Sequence, residues 1–439
     1  MSNIVKPSIL AGFMELDPKD QIQFNKMKDI IRNNYEKFGF LPIDTPVLEK
    51  SEVLLAKGGG ETEKQVYRFE KGKADISMRF DLTVPLARYV AQHYSEISFP
   101  FRRYHIDKVY RGERNQRGRF REFYQCDIDI IGEGSLSLIN DAEIPAVIYN
   151  VFTDLKIGDF TIRMNNRKIL KGFYRSLGIE DSQSVLRIVD KLEKIGTENV
   201  ISELKELGIK DEDADTVMKF ISIEGSNSEK IKALRDFNIE DDAYLEGIDE
   251  IEKVFEYLKL FNIPEKNTEF DLSIARGLDY YTGTVYETKL NDHPEIGSIC
   301  SGGRYDDLAS YYIKNKLPGV GISIGLTRLF FQLKDAGILK DEDNSLSDCL
   351  IIPFEGFMEE AINLTNILRK GGVDAFIYTE EGAKLGKKMK YADNLSIPYT
   401  VLIGEDEKKS QKYMLKNMET GNQESLDSQG IIEFIKSNK

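Results

Sequence analysis

The sequence predicts an α+β domain that is interrupted by a helical insertion and followed by a small α/β domain. Three observations carry this. Residues 1–166 and 263–335 mix helical spacing with short β-rich runs. Residues 167–262 show helical periodicity and almost no strand signal. Residues 346–439 alternate strand and helix patterns, as a small domain with a mostly parallel sheet does.

The elements follow in order. QIQFNKMKDIIRNNYEKFGF repeats apolar residues at Ile22, Met27, Ile30, Ile31 and Tyr35 and stops at Gly39, a helix-ending residue. FLPIDTPVLE, KQVYRFE and ISMRFD read as short strands, and LTVPLARYVAQHY as a helix. From about residue 104 to 131 the chain reads as a hairpin: YHIDKVYRGE outward, the polar loop RNQRG, then RFREFYQCDIDIIG back. VLRIVDKLEKIG carries Ile188, Val189, Leu192 and Ile195 at helical spacing, and EIEKVFEYLKLF carries Ile251, Val254, Phe255 and Leu258. EFDLSIARGLDYYTGTVYETKL reads as strand, turn, strand, and PGVGISIGLTRLFFQL as a strand running into a helix. DAGILKDEDNSLSD is a charged linker. After it come DCLIIPF, FMEEAINLTNILRKGG, VDAFIY, KLGKKMKYADNL and YTVLIG, strand and helix by turns.

Composition excludes several classes. At roughly 150 residues per domain, 439 residues imply about three domains. The 60 Lys and Arg against 74 Asp and Glu leave a net charge of −14, which argues against a wholly basic surface but not against a local basic patch. No run approaches the roughly 18 apolar residues of a membrane helix, so no membrane role is expected. No secretory leader is visible at the N-terminus. Cys126, Cys300 and Cys349 lie far apart and form no CxxC, and His93, His105 and His293 lack ligand spacing. A reducing, cytoplasmic setting and no protein-bound metal centre are expected.

Gly58, Gly59 and Gly60 lack the Lys-Ser/Thr of a phosphate loop and read as a mobile turn. The glycines at 319, 321 and 325 miss the dinucleotide spacing. The hairpin is more informative. Successive strand side chains point to opposite faces. On the return strand Arg119, Arg121, Phe123, Gln125, Asp127 and Asp129 therefore share one face, and Phe120, Glu122, Tyr124, Cys126, Ile128 and Ile130 the other. The second face is apolar enough to be core. The first gathers arginines, an aromatic and carboxylates, costly if buried without partners. Val109, Arg111 and Glu113 share a parity on the outgoing strand. Guanidinium groups match phosphate oxygens, Phe123 can stack on a flat base, and Glu113 can accept from an exocyclic amine. The pattern describes a nucleotide site without a glycine loop; in isolation it is also compatible with a salt-bridged surface hairpin.

YRGERNQRGRFREF resembles motif 2 of the class II aminoacyl-tRNA synthetases, and the chain resembles the histidyl-tRNA synthetases nearly end to end. FGFLPIDTPVLE is similar to motif 1, with Pro46 at the position associated with the dimer interface, and PGVGISIGLTRL to motif 3, with Arg328 at its phosphate-binding arginine. RGLDYYTGTVYE (276–287) and SGGRYDDL (301–308) match the two histidine-specific signatures. The resemblance implies an antiparallel sheet flanked by helices as catalytic domain (1–166 and 263–335), the helical insertion (167–262), an anticodon-binding domain (346–439) and a homodimer.

It also implies roles. Arg111 would bind the α-phosphate of ATP, Glu113 the adenine amine, Phe123 the ring, and Arg119 and Arg328 the β- and γ-phosphates. Asp81, Thr83, Gln125 and Asp129 would hold L-histidine, with Tyr280 and Tyr281 around its imidazole. Arg276, with Arg111, would stabilise the reacting α-phosphate, and Mg²⁺ would bridge phosphate oxygens. The product, histidyl-adenylate, would pass its acyl group to the 3′ end of tRNA(His). Arg114, Asn115 and Gln116 become candidates for the acceptor end, and Lys384, Lys387, Lys388 and Lys390 for tRNA phosphates.

The residues themselves leave blander readings open. Asp81 precedes a helix and reads alone as its N-cap. Tyr280 and Tyr281 alone read as strand residues, Gly302 and Gly303 as a turn, and the lysines as a solvated face. His105 reads as structural. The chain departs from the family pattern at Thr327, where Glu is frequent, and at Ser301 and Asp307; Asp129 is shorter than the Glu of many members. The rival function is that of a regulatory paralogue, the regulatory subunit of ATP phosphoribosyltransferase. The arginines at 111, 119, 276 and 328 argue against it.

Overall fold

The computed structural model describes residues 4–56, 61–114, 117–189, 191–274, 281–306, 308–340 and 345–438. The chain divides into two compact units, Met1–Glu15 with Met27–Leu339, and Leu16–Lys26 with Lys340–Lys439. Arg276, Tyr280, Asn115, Gln116, Asp307 and the glycines at 58–60 lie outside the described residues.

The chain begins with α1 (Pro18–Lys37), opened by a proline whose missing N–H costs a first turn nothing. Phe24, Met27, Ile31 and Tyr35 form its buried stripe. Short elements follow: β1 (Leu41–Pro42), β2 (Leu48–Lys50), α2 (Ser51–Leu54), α3 (Glu61–Gln65), β3 (Arg68–Lys71) and β4 (Ala74–Met78). Strands β2, β4 and β3 make a three-stranded antiparallel sheet. Helix α4 (Thr83–Gln92) leads to the long hairpin β5 (Phe101–Tyr110) and β6 (Glu122–Ile131). Then come α5 (Ile139–Leu155) and β7 (Phe160–Asn166).

Six helices follow without a strand: α6 (Arg167–Ser176), α7 (Ser182–Val189), α8 (Leu192–Glu206), α9 (Asp211–Ile221), α10 (Asn227–Asp236) and α11 (Asp242–Leu260). The capping box of Ser226 and Glu229 starts α10, and Asp241 caps α11. The chain returns to the sheet with β8 (Thr268–Phe270), β9 (Tyr281–Leu290), β10 (Cys300–Tyr305) and β11 (Gly319–Ile324), and ends this unit on α12 (Leu326–Asp335).

The main sheet has eight strands in the order β1-β5-β6-β11-β10-β9-β7-β8. From β5 to β7 it is antiparallel throughout, and only the outer pairs β1–β5 and β7–β8 run parallel. The expected antiparallel sheet flanked by helices is present, as a mixed sheet. In the centre, β6 lies between β5 and β11, with Asp129 opposite Arg103 on one side and Gly321 on the other. The apolar face of β6 is buried as its alternation requires: Cys126, Ile128 and Ile130 are fully enclosed, and Tyr35 donates its hydroxyl to the Cys126 carbonyl at 2.9 Å.

The second unit contains β12 (Cys349–Pro353), α13 (Met358–Lys370), β13 (Ala375–Ile377), α14 (Leu385–Asn394), β14 (Tyr399–Ile403), α15 (Glu405–Ser410), β15 (Tyr413–Asn417), β16 (Gln423–Leu426) and α16 (Ser428–Ser437). Its sheet runs β13-β12-β14-β15-β16. The first three strands are parallel, as expected from the alternation; β15 and β16 add an antiparallel hairpin at the edge. Ile351, Val401, Leu364, Leu368, Ile431 and Ile435 are among the core residues between the sheet and helices α13 and α16. Cys126, Cys300 and Cys349 are all buried and unbridged. Among the described residues no helix is long and apolar enough to cross a membrane.

Candidate active site

A cavity of about 460 Å³ opens over the centre of the main sheet. Its floor is the charged face of β6, where Phe123, Gln125, Asp127 and Asp129 all line it. Four residues at alternate positions span roughly 20 Å of strand, enough for an extended ligand of nucleotide length. Arg111, Glu113 and Arg119, from the segment joining β5 to β6, line the cavity beyond the Phe123 end. Asp81 and Thr83 enter from the start of α4, Tyr281 from the start of β9, and Arg328 from the first turn of α12. Every described candidate for ATP or histidine binding thus lines one cavity.

The phosphate-like end is cationic and organised by its neighbours. The Arg111 guanidinium lies 4.4 Å from the Phe80 ring centroid and 5.1 Å from that of Phe123, and its Nε donates to the Phe80 carbonyl at 3.1 Å. Arg119 Nη1 reaches Glu113 Oε2 at 3.2 Å, a pair open enough to solvent to be exchanged for ligand contacts. Arg328 donates from Nε to Gln332 Oε1 at 3.2 Å and from Nη2 to the Ile296 carbonyl at 3.3 Å. Arg121 does not join them. It turns away to donate to the Glu113 and Ala11 carbonyls, because the ladder has already opened at this point: β5 stops at Tyr110 and β6 starts at Glu122.

The other end is anionic and buried. Asp129 is 4% exposed and held on both oxygens, by Tyr305 through its hydroxyl at 2.8 Å and by Arg103 as an ion pair at 2.5 Å. Arg103 itself is fully enclosed. Burial pushes the Asp129 carboxyl up to about 6, against the opposing pull of Arg103 and Tyr305. Asp127, 2% exposed, is pushed up to about 7 by the same burial, with Arg103 and the Ser323 hydroxyl pulling down and Asp129 and Asp81 pushing further up. Gln125 Nε2 donates to Ser323 Oγ at 2.8 Å. Asp81 caps α4: its Oδ1 accepts from the Thr83 and Val84 amides at 3.1 and 2.9 Å, while the carboxylate still lines the cavity. The N-cap reading and the binding reading are therefore compatible.

Glycines make the room. A Cβ on Gly321 would collide with Asp129 Oδ1 and the Ile128 carbonyl, and one on Gly303 would come within 2.8 Å of the Tyr281 ring. In the same strand as Gly303, Arg304 forms a buried ion pair with Asp141, which supports the sheet from behind. Of the departures, Thr327 points away from the cavity: its hydroxyl oxygen accepts the Tyr124 amide at 2.8 Å and ties α12 to β6. Ser301 lines the cavity. His105, 3% exposed, sits 3.3 Å from Asp44 without hydrogen-bond alignment, and burial with the neighbouring Arg103 and Arg79 lowers it to about 4.

Sequence reasoning left four contributors unassigned: Asp127, Arg103, Ser323 and Tyr305. Asp127 was legible from strand parity, and Arg103 from counting back across the hairpin. Ser323 and Tyr305 needed the order of β10 and β11 in the sheet. In the second unit, α14 corrects the reading of its lysines. Lys384, Lys387 and Lys390 are exposed, but Lys388 is buried and donates to the Pro353 and Glu381 carbonyls at 2.7 and 2.8 Å.

An antiparallel sheet that carries this arginine and carboxylate constellation, joined to a separate small domain, defines a class II aminoacyl-tRNA synthetase. The family model for histidyl-tRNA synthetase matches residues 12–329, and that for an anticodon binding domain matches residues 348–438. The chain is 63% identical over 436 residues to a histidine–tRNA ligase of Clostridium tetani, covering 99% of each. It superposes on the histidyl-tRNA synthetase of Nostoc sp. PCC 7120 with a TM-score of 0.91 at 40% identity, covering 99% of this chain and 100% of that one. A Bacillus halodurans chain described as an ATP phosphoribosyltransferase regulatory subunit/histidyl-tRNA synthetase shares the fold alone, at 22% identity and a TM-score of 0.74 over 89% of this chain and 97% of that one. The chain belongs to the histidyl-tRNA synthetase family.

Proposed function

We propose that this chain ligates histidine to tRNA: it activates L-histidine with ATP to histidyl-adenylate, releases diphosphate, and esterifies histidine to the 3′ end of tRNA(His). The observation that carries the mechanism is the polarity of the cavity. Arginines 111, 119 and 328 stand at one end and the carboxylates of Asp81, Asp127 and Asp129 at the other. A triphosphate suits the first end, and an α-ammonium with an imidazole N–H suits the second.

In this reading Phe123 stacks on adenine and Glu113 accepts from its amine. Arg119 and Arg328 hold the β- and γ-phosphates. Asp81, Thr83 and Gln125 hold the amino-acid backbone, while Asp129, Tyr280 and Tyr281 surround the imidazole. Attack of the histidine carboxylate on the α-phosphorus concentrates negative charge there. Arg111 and Arg276 stabilise it, so catalysis is positioning plus preorganised charge, with no protein nucleophile. A site with buried polar groups that expect a polar ring penalises an apolar side chain strongly.

Among the described residues the phosphate end presents one carboxylate, Glu113, already paired to Arg119. That donor set fits Mg²⁺ carried in on ATP and held mainly by phosphate oxygens and water; bound there, the ion would neutralise phosphate charge. Residues 1–166 with 263–335 would form the catalytic domain, 167–262 the insertion and 346–439 the anticodon-binding domain. Arg114, Asn115 and Gln116 are assigned to the acceptor end, and the exposed Lys384, Lys387 and Lys390 to tRNA phosphates. A cytoplasmic homodimer, joined through the Pro46 region, completes the reading. The similarity to motif 1 supports the dimer, and the three unbridged cysteines support the compartment.

Histidine-dependent ATP–diphosphate exchange without tRNA tests the reading, run beside the other nineteen amino acids. Exchange with histidine alone is expected. A folded protein that binds histidine without exchange would instead be a regulatory paralogue.

A further inference from the structure

The carboxylate assigned to the imidazole by family resemblance, Asp129, is already occupied on both oxygens by Tyr305 and Arg103. Two positions earlier on the same face of β6, Asp127 is at least as deeply enclosed, and it lines the same cavity. Its Oδ1 has no hydrogen-bond partner among the described residues. A buried acceptor left unpaired is costly, and more so when charged, so one that lines a cavity calls for an explanation, which a bound donor supplies. The charge balance points the same way. Among the described residues Arg103 is the one guanidinium acting on both acids, while Asp81 adds a third carboxylate nearby. Among the described residues, the carboxylates at this end therefore outnumber the one cation that acts on both acids.

We propose that Asp127 is a specificity-determining residue, a second carboxylate that accepts the imidazole N–H of the substrate histidine. The inference rests on the proposed histidine activation. Position selects the ring rather than the α-ammonium. Asp127 lies between Gln125, on the ammonium side, and Asp129, beside Tyr305 and Tyr281, on the ring side. In the proposed reading the ammonium is served by Asp81 and Thr83 from the start of α4 and by Gln125 from the floor. Asp129, committed to Arg103 and Tyr305, then orients and charges the ring subsite, and Asp127 supplies the acceptor that has no partner among the described residues.

Burial adds a signature. The Asp127 carboxyl is pushed up to about 7, so it gains its full acceptor charge only toward alkaline pH. Histidine binding therefore weakens as pH falls through that value. The groups that face it are Arg103 and His105 from β5, Asp129 on its own strand, Ser323 from β11 and Asp81 before α4. Tyr35 of α1 and Cys126 lie behind the strand and titrate well above this range because burial raises both.

The experiment compares the full-length wild type with Asp127→Asn, which keeps shape but loses the charge and one acceptor. Two substrates are used in diphosphate exchange: L-histidine, and β-(2-thienyl)-L-alanine, which has the ammonium but no ring N–H. Loss of a hydrogen bond to a charged group predicts a fall of roughly 10- to 100-fold in the histidine-to-thienylalanine ratio of kcat/KM. The loss should sit mainly in the histidine KM, with the ATP KM within about twofold. The variant lacks this titration, so the ratio of wild-type to variant kcat/KM should fall as pH drops through about 7; the substrate's own titration is common to both and cancels.

An unchanged discrimination ratio, whether histidine is used as before or both substrates suffer alike, overturns the proposal. If the wild type fails to exchange with histidine at all, the activation reading fails separately. Calorimetric binding of L-histidinol to both proteins then decides Asp127 by itself: weaker binding to the variant upholds it, equal binding removes it. Should Asp127→Asn fold poorly, Asp127→Ser is measured by the same ratio.

Discussion

Replacing Arg103 by Met tests the electrostatic account of the site most directly. The guanidinium is fully enclosed and sits 2.5 Å from an Asp129 carboxylate that is itself 5% exposed, and it also pulls down Asp127. Methionine keeps much of the stem and removes the charge. Two buried carboxylates are then left facing one another. Breaking a buried pair by deleting one partner costs about 3–5 kcal/mol, so a fall in Tm on the order of 10 °C is expected for a unit of this size. The pH dependence is more telling than the size. Asp129 and Asp127 stand at about 6 and about 7 in the folded protein against 3.8 for a free carboxyl, so the native state keeps protons that the unfolded chain has already released. Stability therefore falls as pH rises through that window. Without Arg103 both carboxyls climb further and the window extends upward. The Tm deficit of Arg103→Met should be modest near pH 6, where the acids are largely neutral, and should widen near pH 8. Calorimetric scans of both proteins at the two pH values read this. A deficit that is constant or shrinks toward pH 8 would refute the claim that Arg103 acts by charge on the two acids, and would leave it a packing residue.

Other consequences follow from the same geometry. Arg119→Ala removes a half-exposed pair with Glu113, so Tm should move by the equivalent of less than about 1 kcal/mol, while the KM for ATP in diphosphate exchange rises at least severalfold. Gly321→Ala puts a methyl onto Asp129 Oδ1; overpacking of about 1–3 kcal/mol should appear in thermal unfolding, together with a larger rise in the KM for histidine than for ATP. Arg276→Ala should slow adenylate formation by orders of magnitude in single-turnover assays while weakening histidine binding less; activation near the wild-type rate would strip Arg276 of its role.

The legibility of this site came from the pleat. Alternation is a geometric necessity of a strand, so Phe123, Gln125, Asp127 and Asp129 could be placed on one face without knowing what β6 pairs with. Where the chain leaves the ladder that guarantee ends: Arg119 and Arg121 share a parity, yet one lines the cavity and the other turns to the Ala11 carbonyl. Arg103 was missed because its meaning depends on the register across the hairpin, which sets it opposite Asp129. FLPIDTPVLE reads as one strand but gives only β1 and β2, since prolines at 42 and 46 cannot donate to a continuous ladder. Lys388 was misread as part of a solvated face although it stands one helical turn before the buried Ala392; its ammonium is carried inward by two carbonyl acceptors. The β15–β16 hairpin went unread because its outer strand is largely exposed and offers little apolar alternation.

The same sheet explains why such costly groups can be assembled. Asp127 and Asp129 are borne by the central strand β6, between two neighbours that fix its register on both sides, so neither acid can escape to solvent by local slippage. Their cost is spread over a core in which the opposite face of β6 is apolar and enclosed at Cys126, Ile128 and Ile130. The arginines of the phosphate end sit instead where the ladder has opened or at the start of a helix, able to exchange partners such as Glu113 and Gln332 for a ligand. Rigid, desolvated acceptors suit the end that must tell one amino acid from another, because discrimination depends on what a wrong side chain leaves unpaired. Adjustable cations suit the end that must release diphosphate. Under the proposed assignment, the division between buried strand and opened ladder is therefore also a division between selection and turnover.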